Sequence, residues 1–461
     1  MNSRSDAPYG DITRRFVAAL DAWPANEPEV RDAARLLLID GLAVAVAGAR
    51  EAGPSRIGAL TRSEGAAPVA TVIGHDLATS PALAARANGV AMHVLDYEPM
   101  WNPPNHALSP MLPALLAAAE RKEAGGAPPQ GAGLLAAIAK GVEAQGRLRL
   151  SSGQIEPEGL KFHPPGVVGP LATAAACSYL MGLDLDRQAT AVAIAASSAA
   201  GVIANIGSMT KALHCGSAAM RGIEASDLAA LGFTADRDPI GNPRGYGRAY
   251  FGEAFDPAPL LAPVRVPRVL DPGMAWKLFP SQYATHFVIT AALDCRASIS
   301  DPAAIETVAI TTPVMAYINR PQPDSGLAGK FSIQYCAAAS LLDARMDMAS
   351  YADARRFAPD MEAMLGRISL TQDAGIVGRL DRMHVIVKVG LKDGRVIERR
   401  CDAPDGSWSR PVKPERIREK ARRLLSAHLP APAVDAFWRC VDAPAETLAV
   451  RELMATVRVS R

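Results

Sequence analysis

Little in this 461-residue chain marks it for a specialised partner. Lysine and arginine total 49 against 47 aspartates and glutamates, leaving a net charge of +2. Nucleic-acid or anionic-membrane binding calls for a basic stripe, and no such stripe is present. The one arginine-rich stretch, Arg416 to Arg423, is interrupted by Glu419 and by apolar residues, so it reads as a solvated helix face. Cysteines fall at positions 177, 215, 295, 336, 401 and 440, never in CxxC spacing and often amid alanines. That pattern predicts reduced, buried thiols of a cytoplasmic protein, with neither a disulfide framework nor an iron–sulfur ligand set. The opening MNSRSDAPYGDITRRF has no apolar stretch of the secretory kind. Apolar runs such as Ala189 to Ala204 are rich in alanine and serine and short for a membrane span, so they read as helices packed on every side.

The chemical signatures are just as sparse. There is no GxGxxG after a strand, no Walker loop, no HExxH and no GxSxG elbow. No carboxylate cluster has metal-ligand spacing. Nucleotide, metalloprotease and serine-hydrolase chemistries are set aside, and the sequence predicts no cofactor and no metal. No internal repeat is evident.

What is present is helix. The length predicts two domains. Up to about residue 265 the chain is a succession of alanine-rich segments such as VRDAARLLLIDGLAVAVAGA and GSAAMRGIEASDLAALGF, with apolar residues at i, i+3 and i+4. The texture then changes. PVRVPRVLDPGM is proline-rich, IETVAITTPVMAYI carries a β-branched run, and Met383 to Cys401 alternates on either side of KDG, the sign of a hairpin. From Lys413 helices return. The expectation is a mainly α protein: a discontinuous helical domain, residues 1–267 and 410–461, with an α+β domain, 268–409, inserted before the C-terminal helices.

Ionisable residues gather at glycine and proline turns in five places. Between Ala91 and Pro110 a small-residue helix ends at Asp96. A loop containing Pro99, Pro103 and Pro104 follows, and His106 opens the next helix. Proline restricts such a loop to few conformations, and aspartate and histidine are proton-handling groups. LKFHPPGVVGP carries Lys161 and His163, the latter at a predicted helix N-terminus, where backbone N–H groups favour anions. NIGSMTKALHCGSAA places Lys211 and His214 on one helix face. MAWKLFPSQYATHFVI supplies Lys277, Gln282 and His286, and MAYINRPQPDSGLAGKFSIQY supplies Tyr317, Arg320 and Lys330. Taken singly, each has a plain structural reading. His214 and His286 read as core or cap residues, His75 and His428 as surface residues, His93 as a support for the loop. Taken together they suit a small anionic substrate, with Lys and Arg binding carboxylates and His moving protons.

Along nearly its whole length the chain resembles the MmgE/PrpD family. RLLLIDGLAVAVAG, NGVAMHVLDYEP with NHALSPMLPALLAAAE, FHPPGVVGPLATAAA, SMTKALHCGSAAMRGIEASDLAALGFT, KLFPSQYATHFVITAALD and NRPQPDSGLAGKFSIQY follow in the family's order. The family includes 2-methylcitrate dehydratase, cis-aconitate decarboxylase and iminodisuccinate epimerase. The resemblance implies a large helical domain, a smaller α+β lid, a homodimer, and metal-free catalysis in the cleft between the domains. Asp96 and His106 match the family's loop acid and histidine, and His163 its histidine–proline turn. Lys211 and His214 match its lysine–x–leucine–histidine motif, Lys277 the lysine opening the lid motif, and Tyr317 a lid tyrosine. Two positions depart. Decarboxylase-like members carry histidine where this chain has Gln282, and further Asp and Thr residues where it has Glu98, Pro99 and Met100.

The resulting expectation is proton transfer beside a carboxylate of a small di- or tricarboxylic acid. Lys211, Lys277 and Arg320 hold carboxylates, with Gln282 and His214 also facing substrate. His163 and His106 are acid and base, Asp96 orients His106, and Tyr317 completes the catalytic set. A lyase ranks first, whether by loss of water or of CO2. An isomerase or epimerase ranks second, kept open by Gln282. A binding-only homologue ranks third.

Overall fold

In the computed structural model the described residues are 10–101, 103, 105–155 and 160–459. Pro104 and residues 1–9, on which parts of the loop and leader readings rest, lie outside them. Among the described residues the chain is mainly α, with 19 α-helices, a four-stranded sheet and a two-stranded one.

The alanine-rich segments form the long helices Pro28–Gly48, Pro81–His93, Leu112–Ala124, Gly131–Ser151, Pro164–Met181 and Met209–Ala230. Several begin with proline, whose fixed φ suits a first helical position and whose missing N–H has no partner to lose there. Pro164–Met181 is buried on nearly every side. Its small residues let neighbours approach closely. The crossing that matters most for the site is between Pro81–His93 and Met209–Ala230. A β-carbon on Gly216 would lie 2.4 Å from the Arg86 carbonyl oxygen, and one on Gly89 would lie 2.8 Å from Gly216 Cα. Only paired glycines allow the two backbones this close, and the crossing carries the chain after His93 to Lys211.

The α+β region has helices Tyr283–Arg296 and Ile333–Asp343 against strands Ile305–Thr312, Ile368–Gln372, Val385–Leu391 and Val396–Cys401. In spatial order the sheet runs 368–372, 305–312, 385–391, 396–401. The first pair is parallel, with Val308 opposite Ile368, and the rest are antiparallel, with Ile310 opposite Val387. The KDG hairpin forms as read, with Gly394 at φ +85° in its turn. Val385, Val387, Val389 and Leu391 are buried while Lys388 between them is exposed, the alternation of a half-covered sheet. Strand Ile368–Gln372 and the short pair Ala70–Thr71 and Ala78–Thr79 were not expected. They are short and carry no turn signal that periodicity could register.

C-terminal helices Pro414–His428, Ala431–Asp442 and Val450–Thr456 return to the first region. Ala421, Leu425, Phe437 and Leu453 share a core with Leu37, Leu112 and Leu135. A second core joins Tyr283, Phe287, Val308 and Val387, and it includes Met100 from the loop after Asp96. The RIREKARR face is not wholly solvated. Lys420 is buried with Ile417 and Ala421 and pairs with Asp40 at 2.9 Å. His75 and His428 are partly buried rather than exposed. The cysteines are unpaired thiols, five buried and Cys440 partly so. No helix among the described residues is long and apolar enough to cross a membrane.

Candidate active site

The loop after Pro81–His93 is pinned from several sides. Asp96 adopts φ +51°, a left-handed conformation that aspartate tolerates better than most residues. Met100 exchanges backbone hydrogen bonds of 3.0 and 2.9 Å with Ala275. The Tyr97 hydroxyl donates to the Leu278 carbonyl at 3.0 Å, and Lys420 donates to the Tyr97 carbonyl at 2.8 Å. The loop is thereby stitched to both regions of the chain.

Asp96 is buried between two ammonium groups. Lys211 Nζ donates to Oδ2 at 2.5 Å, and Lys277 Nζ donates to Oδ1 and to the Asp96 carbonyl. Burial alone would push this carboxyl upward, but the charges of Lys211 and Lys277 reverse the effect and hold it well below the usual carboxylate range. Lys277, buried and beside Lys211, is lowered to about 8, chiefly by desolvation.

Four imidazoles lie beside this triad. His106 Nε2 is 3.6 Å from Asp96 Oδ1. The ring centroids of His93 and His106 are 4.5 Å apart, and those of His163 and His214 are 5.4 Å apart. His163 Nδ1 is 3.3 Å from His214 Nδ1. Burial lowers all four, His93 to about 3 and His163 well below its ordinary value, so the rings are neutral near pH 7. His163 occupies the N-terminal position before Pro164–Met181, as expected, without a side-chain capping bond. That terminus offers less to an anion than the sequence implied, because Pro164 and Pro165 have no N–H and the Gly166 N–H donates to the His163 carbonyl at 3.0 Å.

Behind His106 lies Glu98, fully buried. Its Oε1 is 2.7 Å from His93 Nδ1 and 3.5 Å from His106 Nδ1, and its Oε2 accepts from the Ser109 N–H at 2.7 Å. Burial would raise this carboxyl, but bonds from His106 and His93 outweigh it and lower it. His93, Glu98 and His106 are the one group among the described residues that brings three ligand atoms within 4.8 Å of each other. A 2.7 Å separation is a hydrogen bond, whereas two ligands of a tetrahedral zinc stand about 3.4 Å apart. The spacing therefore fits a hydrogen-bonded cluster.

The α+β region supplies the opposite wall. Gln282 caps Tyr283–Arg296 by accepting from the Ala284 N–H at 2.7 Å, and its Nε2 is 3.4 Å from the Tyr317 hydroxyl. Arg320 donates to the carbonyls of Tyr317 and Ile206, bridging the two regions. Lys330 donates to the Leu95 carbonyl at 3.1 Å and is lowered to about 8 by burial. Between these walls lies a partly open cavity of about 390 Å³, which Lys330 does not line. Asp96, His106, His163, Lys211, Lys277, Gln282, Tyr317 and Arg320 all line it, while His214 stands behind His163. Unforeseen lining residues include Asn105 and the apolar Met100, Ile203, Ile206, Phe331 and Leu380. Asn105 could have been found from its place beside His106, but the apolar ones carry no local signal. Cations and neutral imidazoles around a largely apolar cavity are what a site needs to stabilise negative charge while moving a proton.

Residues 14–258 match the model of the MmgE/PrpD N-terminal domain, and residues 279–443 that of the MmgE/PrpD C-terminal domain. The cis-aconitate decarboxylase of Mus musculus is 34% identical over 379 residues, covering 80% of this chain and 76% of the relative. That of Homo sapiens is 33% identical over 375 residues, covering 79% and 77%. The cis-aconitate decarboxylase-like protein oryM of Aspergillus oryzae is 25% identical over 490 residues, covering 99% of each chain.

Proposed function

This chain belongs to the MmgE/PrpD family, and on that footing we propose that it is a lyase acting on a small di- or tricarboxylic acid, with loss of CO2 or water. The observation that carries the reading is the Asp96–Lys211–Lys277 triad facing His106 and His163 across one cavity. Lys211, Lys277 and Arg320 hold the substrate carboxylates. Asp96 fixes the two ammonium groups and bears on His106 through its charge. In decarboxylation the bond to the departing carboxylate breaks. Its electron pair moves into the adjacent unsaturated system, and a histidine N–H, later replenished from solvent, protonates the carbon. In dehydration one imidazole takes the α-proton and another protonates the departing hydroxyl. The cations stabilise the charge that develops in either case.

Residues 268–409 act as a lid over residues 1–267 and 410–461, two chains associate as a homodimer, and no metal or cofactor takes part. Supporting the metal-free reading is the hydrogen-bond spacing of His93, Glu98 and His106. Activity that survives chelation and dialysis would agree with it. Gln282 favours a second reading, epimerisation, because an amide cannot exchange protons near neutral pH. The deciding experiment is proton NMR in D2O with cis-aconitate, citrate, 2-methylcitrate, methylaconitate and iminodisuccinate. Consumed olefin or new vinyl signals mean a lyase and identify its leaving group. Deuterium at an α-carbon without net conversion means an epimerase.

A further inference from the structure

We propose that Glu98 is the positioning residue of this site: it holds His106 as the Nδ1–H tautomer and so turns the Nε2 lone pair toward the cavity. The inference rests on reading His106 as a proton-transfer group, and it assigns His106 the acceptor role that the cavity geometry alone leaves open.

Two carboxylates flank the His106 ring, one at each nitrogen. Asp96 Oδ1 is 3.6 Å from Nε2 and Glu98 Oε1 is 3.5 Å from Nδ1. By distance they compete, and each would draw the ring proton to its own side. By charge the two sides differ: Asp96 bears on the ring, but so do the two ammonium groups that flank it. Asp96 is neutralised by Lys211 and Lys277, both in direct contact with it. Glu98 has no ammonium or guanidinium in contact, Lys277 and Lys420 acting on it only at longer range; it is held by the Ser109 N–H and hydroxyl and by His93. The less compensated charge faces Nδ1, so the proton settles there. His106 Nδ1 is sealed from solvent and makes no hydrogen bond in this geometry, with Glu98 Oε1 3.5 Å away, so a lone pair on that nitrogen would face a carboxylate directly. The neighbouring imidazoles, His93 and His163, are neutral at centroid distances of 4.5 and 6.3 Å, and the charges of Lys211 and Lys277 on the Asp96 side disfavour a proton on Nε2. Once His106 has taken a proton, Glu98 also stabilises the imidazolium. Dehydration and epimerisation use the first state, and proton return after loss of CO2 uses the second.

The fixed role of Ser109 makes the test sharp. Its backbone N–H donates to Glu98 Oε2, so in Glu98→Gln that position must remain an oxygen. The amide NH2 is then forced toward the histidines. Its two N–H groups reach His93 Nδ1 at 2.7 Å and His106 Nδ1 at 3.5 Å, and at His106 the donation drives the ring proton to Nε2, where the lone pair was needed. We expect Glu98→Gln to lower kcat by about 10²-fold or more, the scale of a lost general base, with KM changed only a few-fold. The acid limb of the pH–rate profile should move to lower pH, because a negative charge has gone from beside the ring. Glu98→Asp, which keeps the charge, should recover part of kcat.

The readout independent of turnover is 15N NMR of histidine-labelled wild-type enzyme above pH 7, with the His106 signals assigned by their loss in His106→Gln. A protonated Nδ1 and an unprotonated Nε2 are expected. The opposite tautomer in the wild type overturns the proposal, and so does wild-type kcat in Glu98→Gln. If Glu98→Gln fails to fold, the wild-type spectrum still decides. Wild-type turnover in His106→Gln would instead overturn the catalytic reading of His106, while the tautomer signal continued to judge Glu98.

Discussion

Two buried acid–lysine clusters in this molecule are built from the same residue types and differ in what surrounds them. Asp40 and Lys420 join helices Pro28–Gly48 and Pro414–His428, with Nζ and Oδ1 2.9 Å apart and both side chains essentially without exposure. Asp96 joins Lys211 and Lys277, equally buried. Burial wins at the first cluster: Asp40 is raised and Lys420 lowered, each away from its charged form. At the second, two ammonium groups overcome burial and Asp96 is lowered. One cation balances one acid and seals an interface. Two cations on one acid leave a positive charge facing a cavity, ready for a ligand. The difference lies in the count of charges and in what they face.

The comparison breaks most visibly in activity. Lys211→Ala and His163→Ala should each lower kcat/KM by about 10³-fold in the NMR assay, with melting temperatures within a few degrees of wild type. Lys211→Ala leaves Asp96 still paired with Lys277, so no buried charge is stranded. If both variants keep wild-type rates the site is elsewhere, and if both unfold the cluster is structural. Lys420→Met should behave in the opposite way. It strands the Asp40 charge and should cost about 3–5 kcal/mol of stability in denaturant titration, while kcat/KM well below the melting temperature stays within about tenfold, because Lys420 also holds the Tyr97 carbonyl. Adding Asp40→Leu to Lys420→Met should restore most of the stability, since an apolar pair replaces the ionic one.

How far such a distinction could be read beforehand depends on where its signal lies. Asp96 and His106 stood out because prolines and a helix end bracket them. Lys211 stood out because His214 follows at helical spacing. Lys420 did not, because a lysine among arginines looks solvated; its phase with Ile417, Ala421 and Leu424 on the buried face was the signal that went unread. Glu98 registered only as a departure from a family pattern. Its function is set by Ser109, His93 and His106, residues joined only by the folded loop. The hairpin was legible because register and turn are local. Strand Ile368–Gln372 was not, because its partner lies some sixty residues earlier.

A third difference is in pH dependence. His93 and His286 are lowered by burial to about 3, and His106 and His163 are lowered too. Each is neutral in the fold and titrates near 6.5 when unfolded. Below that value the unfolded chain takes up protons the folded chain refuses. Their stabilising contribution is therefore full above about pH 6.5 and lost as pH falls toward the folded values, by up to about 1.4 kcal/mol per group per pH unit. Melting temperature should drop between pH 7 and 5. His286 does not line the cavity, so His286→Phe should flatten that slope with little change in turnover, whereas His163→Ala flattens it and removes activity.

The smallest effect should come from Gln282→His, and it bears on the chemistry most directly. Gln282 Oε1 caps its helix through the Ala284 N–H, and its Nε2 is 3.4 Å from the Tyr317 hydroxyl. Histidine forfeits part of that cap, a loss of about 1 kcal/mol or less. In return it places an exchangeable proton on the wall contributed by the α+β region, where the wild type has only an amide and a phenol. If Gln282 is what keeps this wall from delivering a proton, the variant should gain or lose a few-fold in rate and should shift where deuterium enters the product in D2O. If rate and deuterium pattern both stay as in the wild type, the proton on that side comes from Tyr317 or from the helical wall. In the second case His163 becomes the sole imidazole donor opposite His106, and the walls divide the work: the helical wall carries the imidazoles and Lys211, and the α+β wall adds the cations Lys277 and Arg320.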